Sequence, residues 1–431
     1  MLKNRIRVLS VLSKKLHIFK TSEQKMKKTN IIFLFIVCSV LCSASYFIMN
    51  WVYGNQIKKD NTISKQENQQ SVSVNLTPQA SPKPTPTFDQ AKSEKFTNTA
   101  KFLAGMNVDS KSPLSQFQKN ESWQDHRRFF DNTWSKLENQ QLTKVRKWSQ
   151  QELKQINYKS IFYPFSGPDF LYAYSFFPKG NKYVLVGLEP VGSLFDLASL
   201  SESKRDLKLQ EVRGSLYAIL RFSFFLTNEM KVDLQKQGVL PILYVFLART
   251  ENRILDVQQI GLDTDGKVQP FQKGMVSGVK MTFVPKGKSQ ADTLYYFSTD
   301  LSDDGLKKRP EFKKFVGQLD NKVTYLKAAS YLMYYETFSD IKKLILTQSN
   351  YVLQDDSGMP FKAFDNSKWN LNLYGNYTNP IGLFANRYQA DLRKVYITNK
   401  SIKPLSFGVG YKFGVNDSNL MLAEAKKTQK P

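Results

Sequence analysis

GVLPILYVFLA, residues 238–248, is an eleven-residue run without a charged side chain, and reading it as strand or helix decides how the middle of the chain is assembled. Three further apolar runs follow: RILDVQQIGL (253–262), GVKMTFVP (278–285) and TLYYFST (293–299). Thr-Glu-Asn, Asp-Gly and Lys-Gly turn signals separate them, so the four read as consecutive strands. Their connections are too short for parallel crossovers, which predicts an antiparallel meander. Helical patterns lie on either side of it. The expected fold class is therefore α+β, an antiparallel β-meander packed with helices.

On the N-terminal side, Trp123, Phe130, Trp134, Leu137, Val145, Trp148 and Leu153 recur at threes, fours and sevens, predicting a long amphipathic helix or a pair broken near Gln140. Such an aromatic stripe is core, because burying these rings is the largest apolar gain available. YVLVGLE (183–189) reads as a strand and 204–225 as a helix. On the C-terminal side helical spacing runs from Asp303 to Gln348 through Tyr325, Leu326, Ala329, Leu332, Met333, Phe338, Ile341 and Leu344. Short strands at 369–377 and 407–413 close the chain.

IFYPFSGPDFLYAYSFFP (161–178) crowds aromatic rings around one turn. Ser166-Gly-Pro-Asp169 has the form S-x-x-D, which predicts Ser166 as a helix N-cap, Asp169 at the positive end of the helix dipole, and a short helix 170–177 stopped by Pro178. Thr337-Phe-Ser-Asp340 repeats the pattern. A helix N-terminus also binds anions, so Ser166 and Asp169 are candidate binding residues as well. YPFSGPDFLYAYSFFP followed in order by YVLVGLEPVG, LPILYVFLART, TLYYFSTDLSDDG, LKAASYLMYY and LQDDSGMP resembles a set of uncharacterised bacterial exported or envelope proteins. The resemblance spans most of residues 98–425 and implies a coherent bacterial domain without an assigned activity.

The formal net charge is +25, and residues 1–30 hold nine bases against Glu23. Residues 31–53, IIFLFIVCSVLCSASYFIMNWVY, carry no charge and follow Lys25, Lys27 and Lys28, the pattern of a membrane-inserting helix with a cytoplasmic basic flank. The alternative is a signal peptide starting at Met26 and cleaved near Ser45, which would leave residues 1–25 upstream of the protein. Residues 54–97 are rich in Gln, Asn, Ser, Thr and Pro and read as a disordered linker. The globular domain is then 98–431. Its expected location is the cell envelope, anchored in the inner membrane with the C-terminal domain outside the cytoplasm, or secreted or periplasmic after cleavage.

Cys38 and Cys42, the two cysteines, both fall in the apolar segment, so the domain has no disulfide and no thiolate site. His126 is its one imidazole, expected as a partly exposed helix residue; multi-His zinc sites are excluded and a Ser-His-Asp triad would have to pass through it. Asp263-Thr-Asp265-Gly266 lacks the Glu of a calcium loop, with Gln272 in its place, and reads as a hairpin turn. No Gly-rich phosphate cradle follows a strand. Neither a cofactor, a metal nor a nucleic-acid partner is expected. Carboxylates remain: Asp169, Glu189, the Asp300, Asp303 and Asp304 group, and Asp355-Asp356, which otherwise cap helices and shape turns. The expected function is a non-catalytic binding or scaffold domain for an anionic envelope polymer or an envelope protein. The alternative is a carboxylate-dependent hydrolase acting on a cell-wall glycan, which needs two acids converging in one pocket.

Overall fold

The computed structural model describes residues 88–193, 196–224, 238–413 and 417–426. The basic tail 1–30, the apolar segment 31–53 and most of the linker 54–97 lie outside them. Among the described residues no helix is long and apolar enough to cross a membrane. The end of the expected linker is helical. Helix α1 (Gln90–Leu103) is capped by the Asp89 side chain, which accepts from Lys92 N. Ser93 and Thr97 donate to Ile254 O at 2.7 and 3.2 Å, so the folded part begins near Asp89 rather than 98. Its polar composition concealed a helix that docks partly through hydroxyl groups.

The run 238–248 is not a strand. Helix α6 (Leu240–Arg249; α2 to α5 are given below) has Pro241 in its first turn, and every side chain from Leu240 to Ala248 is buried. A helix enclosed on all sides shows no polar face, so periodicity could not separate it from a buried strand. Pro241 was the usable signal, since proline is tolerated in a first helical turn and not within a sheet.

Ten strands form one mixed sheet in the order β4-β3-β5-β6-β2-β1-β7-β8-β10-β9. They are β1 (Ser160–Tyr163), β2 (Lys182–Gly187), β3 (Arg253–Leu262), β4 (Val268–Pro270), β5 (Ser277–Val284), β6 (Asp292–Ser298), β7 (Lys322–Leu326), β8 (Tyr351–Gln354), β9 (Trp369–Gly375) and β10 (Asn419–Ala425). The centre, β6-β2-β1-β7-β8, is parallel throughout. Strands β3, β4 and β5 extend one side antiparallel, and β10 and β9 the other. The expected α+β class is thus wrong: the fold is α/β, and the antiparallel run is only one wing of the sheet. The parallel centre escaped notice because β7 sits inside the stretch that read as helix, and because β1 and β7 are four and five residues long with every residue buried, leaving no alternation to detect.

Alternate residues of the central strands feed two cores. Ile161, Tyr163, Tyr183, Leu185, Val323 and Tyr325 face one, while Phe162, Val184, Val186, Leu326 and Val352 face the other. Helices α1, α2 (Glu121–Leu137), α3 (Thr143–Glu152), α4 (Phe170–Phe176), α5 (Glu202–Phe222) and α6 cover the first face. Helices α7 (Asp303–Lys308), α8 (Pro310–Gly317) and α9 (Ser339–Gln348) cover the second. Each buried Val, Leu, Ile or Phe contributes about 1.5–3 kcal/mol. The seven-residue stripe of α2 and α3 is buried, and the helices join at 138–142 through a widened turn in which Thr143 N–H reaches Glu138 O. His126 is fully buried rather than partly exposed, with Nε2 2.8 Å from Leu103 O. Burial depresses its pKa to about 3.

The crossover from β1 to β2 passes through α4 on the first face, and that from β7 to β8 passes through α9 on the second. Since β1 and β7 are neighbours, the loops leaving their C-terminal ends diverge. In open α/β sheets a divergence of this kind is where ligands bind.

Candidate functional site

Four polar side chains from three separate loops meet beyond the C-terminal ends of β1, β7 and β8: Asp169, Lys327, Asp355 and Asp356, each at most 5% exposed. Lys327 follows β7 directly. Its Nζ lies 2.6 Å from Asp169 Oδ2, donates to Ser223 O at 2.5 Å, and sits 3.8 Å from the centroid of the Tyr172 ring. Tyr163, on β1, donates its hydroxyl to the same Asp169 oxygen at 3.0 Å. Burial lowers the Lys327 pKa, and Asp169 opposes that shift.

Asp169 stands at the start of α4 as expected, but as its N-cap and not within its first turn, with Oδ1 accepting from Tyr172 N at 3.1 Å. Ser166 does not cap. Its Oγ accepts from Val186 N at 3.0 Å and donates to Gly167 O at 2.8 Å, pinning the turn to β2. Phe165, with φ 60°, and Gly167, with φ 54°, bend the chain between the two. Ala328, after β7, also has positive φ, at 59°. A non-glycine residue in that region costs on the order of 1–3 kcal/mol, so the loops after both neighbouring strands are strained.

Asp355 and Asp356 continue β8. Asp355 Oδ1 accepts from Ser357 N at 3.0 Å and from the Ser357 hydroxyl. Gly410, at φ 57°, approaches so closely that a Cβ would lie 2.2 Å from Asp355 Oδ2 and 3.2 Å from Lys327 Cγ, which requires glycine there. Asp356 accepts from the Tyr331 hydroxyl at 2.8 Å and from Asn419 Nδ2 at 3.0 Å. Burial, followed by the charge of Asp356, pushes the Asp355 carboxyl up to about 7. Burial also raises Asp356, and Lys412 counteracts it. Tyr325, on β7, has its hydroxyl buried without a hydrogen-bond partner among the described residues.

The remaining expected acids stay apart from this centre. Glu189, beyond β2, accepts from the Tyr296 hydroxyl through its backbone oxygen at 2.8 Å and its side chain at 3.2 Å. Asp300 accepts from Ser302 N and Oγ, both at 2.8 Å. Asp303 caps α9 from outside by accepting from Ser339 N and Asp340 N, work the sequence had assigned to Thr337. Asp263 accepts from Asp265 N and Lys267 N within the β3–β4 hairpin. Lys327, Tyr331, Asn419 and Gly410 were missed. Only Lys327 had a usable signal, as the residue ending a buried strand, and that strand had been read as helix.

A small cavity adjoins the Asp355 and Asp356 side of the centre. The two acids line its volume of about 10 Å³ with Gln354, Gln389, Tyr396 and Asn419, room for one water molecule. Gln354 is fully engaged with Met359 through both its amide atoms, at 2.8 and 3.0 Å. Among the described residues no group of three or more His, Cys, Asp or Glu side chains is arranged to hold a metal ion. In chemical terms, the arrangement can hold a proton on Asp355 near neutral pH and keep a buried ammonium in place between carboxylates. No family model, curated protein or solved structure matches the chain.

Proposed function

We propose that the chain is a non-catalytic binding or scaffold domain of the cell envelope, held at or exported across the membrane by residues 31–53, with an anionic envelope polymer as its partner. One observation carries this reading. The acids that converge, Asp169, Asp355 and Asp356, are buried and turned to partners within the protein: Asp169 to Tyr163 and Lys327, Asp355 to Ser357, and Asp356 to Tyr331 and Asn419. A hydrolase needs its two carboxylates on opposite sides of an accessible glycosidic bond. The buried centre serves instead as a knot, tying the loops after β1, β7 and β8 to the segments around Ser223, Gly410 and Asn419. Loops fixed in this way present a constant outer surface to a partner.

The hydrolase reading draws on one feature, the Asp355 carboxyl near 7, which would suit a general acid. A single experiment separates the two. The full-length chain is mixed with purified bacterial sacculi carrying their anionic polymers, and both sedimentation and newly formed reducing ends are followed. Co-sedimentation without release of reducing ends is the expected result. Release that disappears in Asp355→Asn would replace the binding reading with the hydrolase.

A further inference from the structure

The loops tied down by the centre carry an aromatic platform outward from it. Tyr331, bonded to Asp356, stacks on Phe384 at 4.2 Å between centroids and lies nearly parallel to Tyr411 at 6.2 Å and 10°. Arg387 lies at the outer end, its guanidinium carbon 4.4 Å from the Tyr335 centroid and 5.4 Å from that of Tyr334. Tyr335 is 40% exposed and Tyr388 50%, and Tyr388 stacks on the buried Tyr377. Arg387 has neither a carboxylate partner nor a hydrogen-bond acceptor among the described residues; its contacts are with ring faces alone.

We propose that Arg387, Tyr335 and Tyr388 form a docking site for an acidic sugar unit of a polysaccharide. The proposal rests on the reading of the chain as a binding domain for an anionic envelope polymer and assigns that binding to particular residues. A guanidinium held over two tyrosine rings offers the N–H fork that matches a carboxylate, and part of its loss of freedom has been met before the ligand arrives. The exposed tyrosine faces offer apolar area against the C–H face of a pyranose ring, and their hydroxyl rims offer hydrogen bonds. Charge supports the choice of an acidic partner, since the chain stays clearly positive once the nine bases and one acid of residues 1–30 are set aside from its net +25. A lipid surface fits less well, because interfacial binding requires aliphatic or aromatic side chains that insert, whereas Tyr335 is covered by Arg387 and Tyr388 is stacked on Tyr377.

The test is titration calorimetry of the full-length chain with polygalacturonate at low salt, with neutral dextran, polyglutamate and phosphatidylglycerol vesicles as separate arms. Polygalacturonate should bind and dextran should not. Arg387→Gln should weaken binding about tenfold or more, the value of a charge-assisted pair. Arg387→Lys, which keeps the charge but loses the fork, should recover only part of it. Tyr388→Ala, at a half-exposed ring where the fold is not at stake, should weaken binding several-fold with thermal stability unchanged. Failure of the parent chain to bind polygalacturonate, or binding indifferent to both Arg387→Gln and Tyr388→Ala, overturns the site. Equal affinity for polyglutamate or for the vesicles overturns the sugar assignment. Co-sedimentation with sacculi that survives Arg387→Gln removes this site and leaves the binding domain standing, whereas a parent chain that does not sediment removes both.

Discussion

Strand β7 has a buried lysine at each end, and the two are accommodated in different ways. Lys322 opens the strand at 1% exposure; its Nζ donates to Val316 O at 2.9 Å and Gln348 Oε1 at 3.3 Å, and among the described residues no carboxylate pairs with it. Lys327, just past the other end, meets Asp169 at 2.6 Å and lies near Asp355. Burial drags Lys322 down to about 8. The partners of Lys322 come from the two helices flanking β7 in sequence, α8 and α9, while those of Lys327 are brought from residues 169 and 223. The difference distinguishes an ammonium the sheet merely tolerates from one around which distant loops are organised.

The sharpest way to break this comparison is to remove both ammonium groups separately. Lys327→Met leaves Asp169 buried without its cation and should cost about 3–5 kcal/mol. Adding Asp169→Asn should return part of that, since the uncompensated charge is then gone. Both are read from the denaturation midpoint at constant slope. A Lys327→Met variant no less stable than Lys322→Met would end the distinction.

Next in size is the pH response of the centre. The Asp355 carboxyl is moved from its ordinary 3.8 to about 7. Between those values the folded chain holds a proton that the unfolded chain has released, so stability falls as pH rises, by at most about 1.4 kcal/mol per pH unit, and levels off above 7. His126 acts in the opposite sense between its ordinary 6.5 and about 3, where the unfolded chain is the one that binds the proton. The Asp355 contribution is therefore the difference between the parent and Asp355→Asn, which should lose the downward component. Identical pH profiles would show that Asp355 is ionised throughout.

Lys322 gives the mirror case under alkaline conditions. From about 8 to its ordinary 10.5 the folded chain has given up a proton that the unfolded chain retains, so stability should rise with pH across that window. Lys322→Met should abolish the rise and, near neutral pH, change stability by only about 1 kcal/mol, because the lost hydrogen bonds are offset by the removal of a desolvated charge. A large loss at neutral pH would place Lys322 beside Lys327 in importance. The smallest effect belongs to Ser166→Ala, about 1 kcal/mol, through the loss of its hydrogen bonds at Val186 rather than of a helix cap.

What could be read from the sequence followed the range of the interactions. The helix pair of 121–153 repeats its apolar residues locally and was legible in detail, as were the strands 253–262, 278–285 and 293–299, which pair with sequence neighbours. Short β1 and β7 are buried throughout and β8 all but Tyr351, so they show no alternation, and the pairing of β1 with β7 joins strands far apart in sequence. Nothing local announces such pairing. At the site, Asp169, Asp355 and Asp356 were visible because carboxylates beside turns are conspicuous, but Glu189 had the same appearance and stays apart. Lys327 was lost with its strand, since a lysine inside an apparent amphipathic helix reads as part of its solvated face.

The position of β1 has a consequence for the order of assembly during synthesis. Its strand pairs on one side with β2, close behind it, and on the other with β7 in the register Ser160↔Lys322. About 160 residues separate those partners, so at a translation rate of about 5–20 residues per second the second edge of β1 stays open for roughly 8–30 seconds. Through that interval an apolar strand with unpaired backbone groups sits next to a half-built core, a template for pairing with another nascent chain. Truncations ending before Leu326 should therefore aggregate rather than persist as a soluble half, and the yield of native protein should depend on whatever shields that edge until β7 arrives.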